Sequence, residues 1–309
     1  MNEVKLIDCT IRDGGLMNNW EFSLEAVRSL YEANIRAGVD IMEMGYRVSP
    51  KVFNREDHGP WRFCDEAVLR QVVTEKPESM KIAVMGDIGR CEKENFIPKK
   101  ESVIDIFRLA CYIHQIDEAI EMSNHLNELG YMTFFNIMAV SAVDKEDLQA
   151  CLAKVNETGA EGVYLADTFG SFIAADIRER LSFYREACPN LKLGFHGHNN
   201  IQMALANSLE AMNSGVDYID ASFYGMGRGA GNTAMELLLP FAKGRDRDIT
   251  GIIKAIQNHI EPLMTTYKWG YRIPYGVSGL LNQHPREAMA VMTSEEDVCY
   301  GSFYERCAG

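Results

Sequence analysis

Eight short apolar runs, most of them separated by stretches with helical spacing, constrain the fold of this chain more than any other feature. The runs cover residues 4–9, 41–45, 81–85, 103–109, 132–138, 162–166, 192–196 and 218–222. After the seventh run, apolar residues recur at the three- and four-residue intervals of one helix face, at Ile201, Leu205, Leu209 and Met212. Strands that alternate with helices pair in parallel, and eight such units close a barrel.

The alternative for this alternation is a doubly wound open sheet. Many of the helical stretches end in a glycine just before the next strand, as in ELGYMTFFNIM and NSGVDYIDAS, which is a usual helix terminator. The strand pattern stops after about Pro240, and no Pro/Gly-rich linker divides the chain. We therefore predict an α/β protein with a (β/α)8 TIM barrel over residues 1–241 and a C-terminal helical extension over 242–309, which would act as a cap or an oligomerisation surface.

The charge balance bears on the partners of the protein. The formal net charge is −13, and no run of Lys or Arg exceeds two residues, which argues against nucleic acid or an anionic membrane as the main partner. No apolar stretch approaches the roughly 20 residues that cross a bilayer, and the first residues lead at once into a strand rather than a signal peptide. The eight cysteines form no CxxC pair, as expected of reduced thiols. We expect a cytoplasmic protein that acts on small molecules.

Polar segments follow five of the eight predicted strands. They read DCTIRDGG after the first strand, EMGYR after the second, LADTFG after the sixth, HGHNN after the seventh and GMGRGAGN after the eighth. Barrel enzymes carry their chemistry on the loops that follow the carboxyl ends of the strands. The sequence therefore predicts that these segments converge on one rim of the barrel.

A divalent metal site is the first chemistry that this rim suggests. His196 and His198 are two residues apart, so on a strand their side chains point to the same side, although a lone pair of this kind is often structural. Asp13 follows the first strand and Asn232 the eighth, and both strands lie near the seventh in a closed barrel. This mixed nitrogen and oxygen set suits Mn²⁺ or Mg²⁺ first, with Zn²⁺, Co²⁺ and Fe²⁺ also open.

Two further features of the rim carry positive charge. Arg12 either pairs with its neighbour Asp13 at the surface or stabilises an oxyanion held at the metal, and Gly14 and Gly15 allow unusual backbone angles there. The segment GMGRGAGN nearly matches a dinucleotide-binding loop, but it lies far from the N-terminal strand. A flexible loop that closes over the metal site, with Arg228 as an anion contact, fits its position better.

Together DCTIRDGG, HGHNN and GMGRGAGN resemble the motifs of the metal-dependent aldolase/acyltransferase TIM-barrel superfamily, whose members are HMG-CoA lyase-like. The resemblance covers about residues 4–241 in the right order, and RDGG, NNW and EMGYR are most similar to the 4-hydroxy-2-oxovalerate aldolase-like branch. It implies a divalent-metal-dependent aldolase or carbon–carbon lyase that acts on a small 2-oxo acid through a pyruvate-type enolate held at the metal. It also implies that Asp13, His196 and His198 are metal ligands and that Asn232 is a ligand or near-ligand.

The same resemblance assigns two roles toward the substrate and exposes one departure. Arg12 would stabilise the enolate, and Thr168 would contact the substrate carboxylate. The characterised aldolases carry an acid/base histidine where this chain has Leu16, and their C-terminal tyrosine falls near Ser278, with Tyr275 close by. Leucine transfers no proton, so the general acid/base is left without an assignment.

We expect another residue to act as the general acid/base in place of Leu16, with His58, His114 and Tyr275 as the candidates. The partners implied by the resemblance are a 2-oxo acid and an aldehyde, with a homo-oligomer possible through the C-terminal helices. Two alternatives stay open. One is a Claisen-type acyltransferase that condenses an acyl-CoA with a 2-oxo acid, and the other is a barrel that keeps its metal without turnover and serves as a partner protein.

Overall fold

Eight parallel strands close into a barrel in the computed structural model, which describes residues 3–243, 247–294 and 298–309. Each strand pairs with the next along the chain, and the last pairs with the first, in the register of Lys5 with Tyr218. The strands are β1 Lys5–Asp8, β2 Ile41–Tyr46, β3 Lys81–Asp87, β4 Ile106–Cys111, β5 Met132–Ile137, β6 Gly162–Asp167, β7 Lys192–Gly197 and β8 Tyr218–Ala221. The predicted TIM barrel is confirmed, and the open sheet is excluded because a closed barrel has no edge strand.

Helices follow most of the strands on the outside of the barrel. They are α1 Thr10–Asn18, α2 Leu24–Arg36, α3 Glu66–Val72, α4 Ile116–Glu128, α5 Lys145–Asn156, α6 Ala174–Ala187, α7 Ala204–Asn213 and α8 Met235–Leu238. Between β3 and β4 the described chain forms only short 3₁₀ turns at Lys93–Asn95 and Lys99–Glu101. No helix in the described parts of the chain has the length and apolarity needed to cross a membrane.

Two details differ from the sequence prediction. The fourth strand begins at Ile106 rather than at residue 103, because the Asp105 carboxylate accepts a hydrogen bond from the Ile82 backbone N–H at 3.0 Å and ends the preceding loop there. Helix α7 buries Met212 of the predicted face, while Leu205 and Leu209 pack against the core and are only partly buried. Its buried residues are Ala204, Asn207, Ser208, Ala211 and Met212. Small side chains face the barrel, and a hydrophobicity pattern does not detect them.

The barrel interior is built in layers, as the two-residue alternation of strands requires. The layer toward the amino ends of the strands is apolar and aromatic, and it contains Ile7, Ile41, Ala83, Ile106, Phe134, Tyr164 and Tyr218. Two residues further along their strands, Glu43, Arg108, His196 and Asp220 are all buried. The charged layer therefore lies directly below the rim where the predicted site residues converge.

The C-terminal segment is helical and lies against the rim. Its helices are α9 Ile249–Ala255, α10 Ile273–Leu280, α11 Arg286–Thr293 and α12 Tyr300–Ala308. A small apolar cluster joins Tyr275, Ala288 and Phe303 to Ala230 of the glycine-rich loop. Asn282 accepts a hydrogen bond from the Ser171 hydroxyl at 2.8 Å and donates one to the Ser141 carbonyl at 3.2 Å. The segment thus contacts loops that follow β5, β6 and β8, while a boundary at residues 241 and 242 stays a prediction.

Candidate metal centre and active site

Three side chains from two strand ends bring their donor atoms together at the rim. Asp13, His196 and His198 each offer one ligand atom within 4.8 Å of the others. The Oδ2 atom of Asp13 lies 3.6 Å from Nε2 of His196 and 3.7 Å from Nε2 of His198. All three residues are buried. The structure therefore places together the three residues that the sequence analysis proposed as ligands.

In both histidines the Nδ1 atom already makes a hydrogen bond, and this bond fixes the direction in which the Nε2 atom points. Nδ1 of His198 lies 2.9 Å from the Asp167 carbonyl oxygen, which only accepts, so Nδ1 carries the proton and donates it. Nδ1 of His196 lies 2.8 Å from the carboxylate of Asp220 and donates in the same way. Each Nε2 atom then faces the carboxylate of Asp13. Metal-binding histidines are held by this kind of hydrogen bond at the other nitrogen.

The atoms that face each other here fit a cation. Oδ2 of Asp13 and Nε2 of His196 are buried without a hydrogen-bond partner among the described residues. Buried polar atoms rarely stay unsatisfied, because losing water without a replacement partner costs free energy. A divalent ion at the centre of two imidazole nitrogens and a carboxylate oxygen would satisfy all three donors. The residues present therefore fit the metal that the resemblance implies.

Protonation states in the cluster follow from burial and from the neighbouring charges. Burial raises the pKa of Asp13, but Arg12 and the two imidazoles outweigh it and hold that pKa well below its usual range. Burial lowers the pKa of His198 to about 3, so its ring is neutral. Burial acts the same way on His196, but the carboxylates of Asp13 and Asp220 outweigh it and raise its pKa. Imidazole binds a metal ion in its neutral form, so a cation there would compete with the proton that a raised pKa favours on His196.

Asn232 lies beside this cluster rather than in its centre. Its backbone forms a bridge with His198. The side-chain Nδ2 lies 3.4 Å from the Met226 carbonyl oxygen and 3.5 Å from the Ser222 hydroxyl, while Oδ1 is buried with no partner in the described chain. An unsatisfied amide oxygen next to His198 keeps Asn232 as a candidate ligand or near-ligand.

Arg12 is buried, so a surface pair with its neighbour is excluded. Its Nη1 atom lies 3.0 Å from Oδ1 of Asp13, and its Nε donates to Oε2 of Glu43 at 2.8 Å. Helix α1 places both residues in its first turn, where the Asp8 carboxylate accepts the Thr10 backbone N–H at 2.9 Å. Arg12 thus reaches the carboxylate oxygen of Asp13 that does not face the histidines.

Arg108 completes a closed cycle of charges that the sequence analysis missed. From β4 it donates to Oε2 of Glu43 at 2.9 Å and to Oδ2 of Asp220 at 2.6 Å, and its guanidinium lies 4.3 Å from the centre of the Tyr164 ring. The cycle runs through Arg12, Glu43, Arg108, Asp220, His196 and Asp13. The sequence did contain a signal for Arg108, because it is a charged residue within an apolar strand run. Strands of parallel barrels are otherwise continuously apolar.

A second group of possible ligands, Cys9, His196 and Asp220, meets the same distance criterion. Its donors are already engaged. Oδ2 of Asp220 accepts from both Arg108 and His196, and the Cys9 thiol donates to the Ala221 carbonyl at 3.2 Å. Burial also raises the pKa of Cys9 well above its usual range, which disfavours the thiolate that binds metal. The cluster around Asp13 is therefore the better metal site.

A cavity of about 80 Å³ opens directly onto this cluster. Its lining comprises Arg12, Asp13, Leu16, Tyr46, Met85, Ala110, Asn136, Met138, Ala166, Thr168, His196, His198 and Arg228. A larger cavity of about 600 Å³ lies outside the barrel, along α5 and α6, and it touches none of these residues. We place the chemistry in the small cavity, because histidines, a carboxylate and a guanidinium converge there.

Thr168 and Arg228 form one wall of the small cavity. The Thr168 hydroxyl oxygen accepts the Ala139 backbone N–H at 2.9 Å, and the Thr168 carbonyl accepts Nη2 of Arg228 at 3.1 Å. Nη1 of Arg228 lies 3.2 Å from Nε2 of His284, in the C-terminal segment. Nε of Arg228 is buried with no partner in the described chain. Arg228, in the glycine-rich loop, thus lines the cavity and has no carboxylate within salt-bridge distance among the described residues, although the charge of Asp13 reaches it.

The three residues expected to replace the missing acid/base histidine do not reach this cavity. His58 packs against Trp20 and Phe53. His114 is exposed and lines a separate depression with Asp147 and Lys154. Tyr275 belongs to the apolar cluster of the C-terminal helices. Leu16, in contrast, lines the cavity as the resemblance requires.

Comparisons with known proteins agree with this geometry. The N-terminal domain of a Bacteroides vulgatus protein described as an aldolase superposes with a TM-score of 0.83 at 30% identity, over 98% of this chain and 100% of that domain. A 4-hydroxy-2-oxovalerate aldolase from Pelotomaculum thermopropionicum is 28% identical over 244 residues, 78% of this chain and 70% of the relative. An oxaloacetate decarboxylase from Mycobacterium tuberculosis is 26% identical over 235 residues, 76% and 68% of the two chains.

Fold, site and relatives together define an enzyme of the metal-dependent aldolase class of carbon–carbon lyases. Within that class, the sequence profile of the HMGL-like family matches residues 3–257, and the chain belongs to this family. The resemblance seen in the three rim motifs is confirmed.

Proposed function

We propose that this enzyme makes or breaks a carbon–carbon bond of a small 2-oxo acid through a pyruvate-type enolate. The observation that carries the proposal is the meeting of a buried guanidinium with unsatisfied buried donors at one cavity. Arg12 contacts one oxygen of Asp13, and the other oxygen faces the two histidine nitrogens without a partner among the described residues. Relatives named 4-hydroxy-2-oxovalerate aldolase support the same reaction class.

Asp13, His196 and His198 would hold one divalent ion, with Asn232 as a further oxygen donor. The ligand types favour Mn²⁺ or Mg²⁺, and Zn²⁺, Co²⁺ and Fe²⁺ are the other ions that such a set accepts. When bound, the ion supplies a Lewis acid for the keto oxygen of the substrate. The three side chains supply fixed positions for it, because hydrogen bonds to Asp220 and Asp167 hold both imidazoles.

Arg12 supplies positive charge where the enolate oxygen develops. Its Nε is committed to Glu43, which orients the guanidinium, and its Nη1 lies beside Asp13. A guanidinium held in place before the reaction stabilises an oxyanion without reorganising, and such a donor contributes about 3–4 kcal/mol. Arg228 and Thr168, which also line the cavity, would receive the substrate carboxylate.

The size of the cavity favours a small substrate. Its volume of about 80 Å³ is far below the roughly 300–1,000 Å³ of pockets that enclose drug-sized ligands. A 2-oxo acid and an aldehyde suit this space better than the acyl-CoA that the Claisen-type alternative requires.

The test is deuterium exchange at the methyl group of pyruvate in deuterated water, followed by NMR, with Mn²⁺ present. Exchange requires enolisation but no second substrate, so it isolates the step that Arg12 and the metal cluster serve. We expect exchange that chelation abolishes and that oxalate, which mimics the enolate, inhibits. A manganese-loaded protein that exchanges no methyl protons would contradict the proposal and favour a non-catalytic barrel.

A further inference from the structure

The cavity holds few groups that can transfer a proton to a carbon atom. Leu16, Met85, Ala110, Met138 and Ala166 are apolar, and Asn136 carries an amide. The remaining lining residues are Arg12, Asp13, Tyr46, Thr168, His196, His198 and Arg228. An enolate becomes a 2-oxo acid only when its carbon receives a proton, so one of these groups or a water must provide it.

Most of these groups are committed elsewhere. Asp13, His196 and His198 face one another as the candidate ligands. Guanidinium groups such as those of Arg12 and Arg228 keep their protons in proteins. The oxygen of Thr168 holds the Ala139 N–H, and an aliphatic hydroxyl is a far weaker acid than a phenol. Tyr46 is the lining residue that is left.

The local backbone brings the Tyr46 ring to the cavity. Tyr46 ends β2, and the register with β3 shifts between Glu43 and Tyr46, as at a β-bulge. Gly45 between them has φ +144°, and a Cβ there would lie 2.0 Å from the Trp61 carbonyl oxygen. Only glycine fits this position. The bulge therefore re-aims the last side chain of β2 toward the strand ends where the metal cluster lies.

The ring of Tyr46 is held while its hydroxyl stays available. Trp20 packs edge-on against it, with ring centres 5.5 Å apart at 87°, and the Arg62 guanidinium lies 5.1 Å from its centre. The residue is 8% exposed, and its hydroxyl makes no hydrogen bond to another residue of the described chain. A fixed ring with an uncommitted hydroxyl at the cavity is the arrangement of a proton donor rather than of a structural tyrosine.

We propose that Tyr46 is the general acid that delivers a proton to the carbon of the enolate. This proposal rests on the proposed function, because it needs an enolate in the cavity. Burial raises the pKa of Tyr46 to about 12, although Arg12 opposes the shift, so the phenol is protonated at neutral pH. A protonated phenol is ready to donate, and by microscopic reversibility its minor phenolate form takes the methyl proton when pyruvate enolises. None of the other uncommitted lining groups is a base.

A site whose tyrosine rests in its acid form suits one class of substrate in particular, a 2-oxo acid with a second carboxylate on C3. The bond between C3 and that carboxylate breaks, and its electron pair forms the C2–C3 double bond while the carbonyl electrons move to the C2 oxygen beside Arg12. Carbon dioxide leaves. The carbonyl then re-forms, C3 takes the phenol proton, and the phenolate regains a proton from water. The net reaction consumes one proton and needs no base.

The experiment follows where the proton goes. The manganese-loaded protein is given 3-methyloxaloacetate in deuterated water, and the product 2-oxobutyrate is reduced at once so that the configuration of its deuterated C3 is preserved. We expect the wild-type protein to yield one enantiomer at C3. Tyr46→Phe, which lacks only the hydroxyl, is expected to release an enolate that bulk water deuterates on both faces, giving a racemic product. Its pyruvate exchange is expected to fall by about 10² or more, the usual effect of a positioned acid.

Tyr31→Phe is the matched control, because the Tyr31 hydroxyl donates to the Glu75 carbonyl at 2.9 Å, outside the lining of the cavity. Tyr31→Phe should leave unchanged the configuration at C3 of the product, the rate of pyruvate exchange and the metal content. Equal stereochemical purity and exchange in Tyr46→Phe and wild type would overturn the role of Tyr46 while leaving the enolate function intact. A wild-type protein that binds Mn²⁺ but neither decarboxylates nor exchanges would overturn the proposed function and this inference together. If the wild type exchanges pyruvate only, a Tyr46→Phe exchange rate within a factor of about ten of wild type overturns the inference.

Discussion

Asp220 and His196 are joined in the barrel interior by a 2.8 Å hydrogen bond, and the same carboxylate oxygen accepts Nη2 of Arg108 at 2.6 Å. One oxygen atom therefore links a candidate ligand to the charged layer below the rim. The hydrogen bond orients the imidazole and keeps the proton on Nδ1, which leaves Nε2 facing Asp13. The interior of the barrel thus sets the geometry of the site above it.

The first prediction concerns the hydrogen bond by which Asp220 orients His196. Asp220→Asn keeps the shape of the side chain but removes the charge that His196 and Arg108 both contact. We expect the affinity for Mn²⁺ to fall by about 10- to 100-fold, as for other residues that hold a metal-binding histidine. Titration calorimetry with Mn²⁺ measures it. Asp147→Asn, an exposed carboxylate on α5, should bind Mn²⁺ like the wild type. Unchanged affinity in Asp220→Asn would show that Asp220 does not act through the metal.

The second prediction concerns the stability of the charged layer. Arg108→Met removes the buried guanidinium that Glu43 and Asp220 share, and leaves Glu43 paired with Arg12 only and Asp220 with His196. Breaking a buried pair in this way lowers the free energy of unfolding by about 3–5 kcal/mol. Arg178→Met is the control, because the pair of Arg178 with Glu210 is solvent-exposed on the arginine side and is expected to contribute only about 0–1 kcal/mol. Urea unfolding followed by circular dichroism distinguishes the two, and similar losses would contradict this account.

The parts of the fold that follow from local pattern were predictable. Eight apolar runs gave eight strands, and the polar segments after them gave the residues of the rim, because strand ends in a barrel meet at one face. The resemblance to the aldolases indicated a position near the site for Leu16, and its side chain lines the cavity.

What the sequence did not yield depends on register and on close packing. Arg108 meets Glu43 and Asp220 only because three separate strands align the same interior layer. Tyr46 reaches the cavity because of a bulge at Gly45, and a two-residue alternation cannot foresee such a shift. His58 and His114 were chosen as titratable side chains, and Tyr275 for its closeness to the tyrosine position of the aldolases. Chain paths that the sequence does not determine carry all three away from the cavity.

The third prediction concerns the metal itself. Protein purified without chelator should contain about one divalent ion per chain, because the donor set forms one site. His196→Ala combined with His198→Ala removes both imidazoles and should remove the ion, as measured by elemental analysis. His114→Ala should keep its metal, since His114 is exposed and distant in the fold. An unchanged metal content in the double variant would refute the ligand assignment.

The fourth prediction separates Arg12 from the metal. Arg12→Lys keeps a positive charge but loses the planar fork that contacts Glu43 and Asp13 together. Metal content should stay near that of the wild type, while pyruvate exchange should fall by roughly 10² or more, as when an oxyanion donor is removed. Near-normal exchange in the lysine variant would mean that Arg12 is only structural.

The last prediction rests on Leu16. Aldol cleavage must take a proton from the 4-hydroxyl group of the substrate, and a side chain placed for this contributes about 10²–10⁴-fold. Leu16 lies three residues after Asp13 on α1 and lines the cavity with an apolar side chain, so it can neither accept that proton nor hold a water that would. We therefore expect the wild-type enzyme to enolise pyruvate faster than it cleaves 4-hydroxy-2-oxovalerate.

Leu16→His should shift that ratio toward cleavage, because an imidazole one helical turn from Asp13 reaches the same cavity. The measurement compares pyruvate deuterium exchange with the release of aldehyde from 4-hydroxy-2-oxovalerate in both proteins at equal metal content. Leu16→Met, which keeps an apolar side chain of similar volume and adds no base, is the matched control and should behave like the wild type. Efficient cleavage by the wild type would show that another group already serves as the base. A histidine variant that keeps its metal and its exchange but gains no cleavage would show that position 16 does not face the 4-hydroxyl.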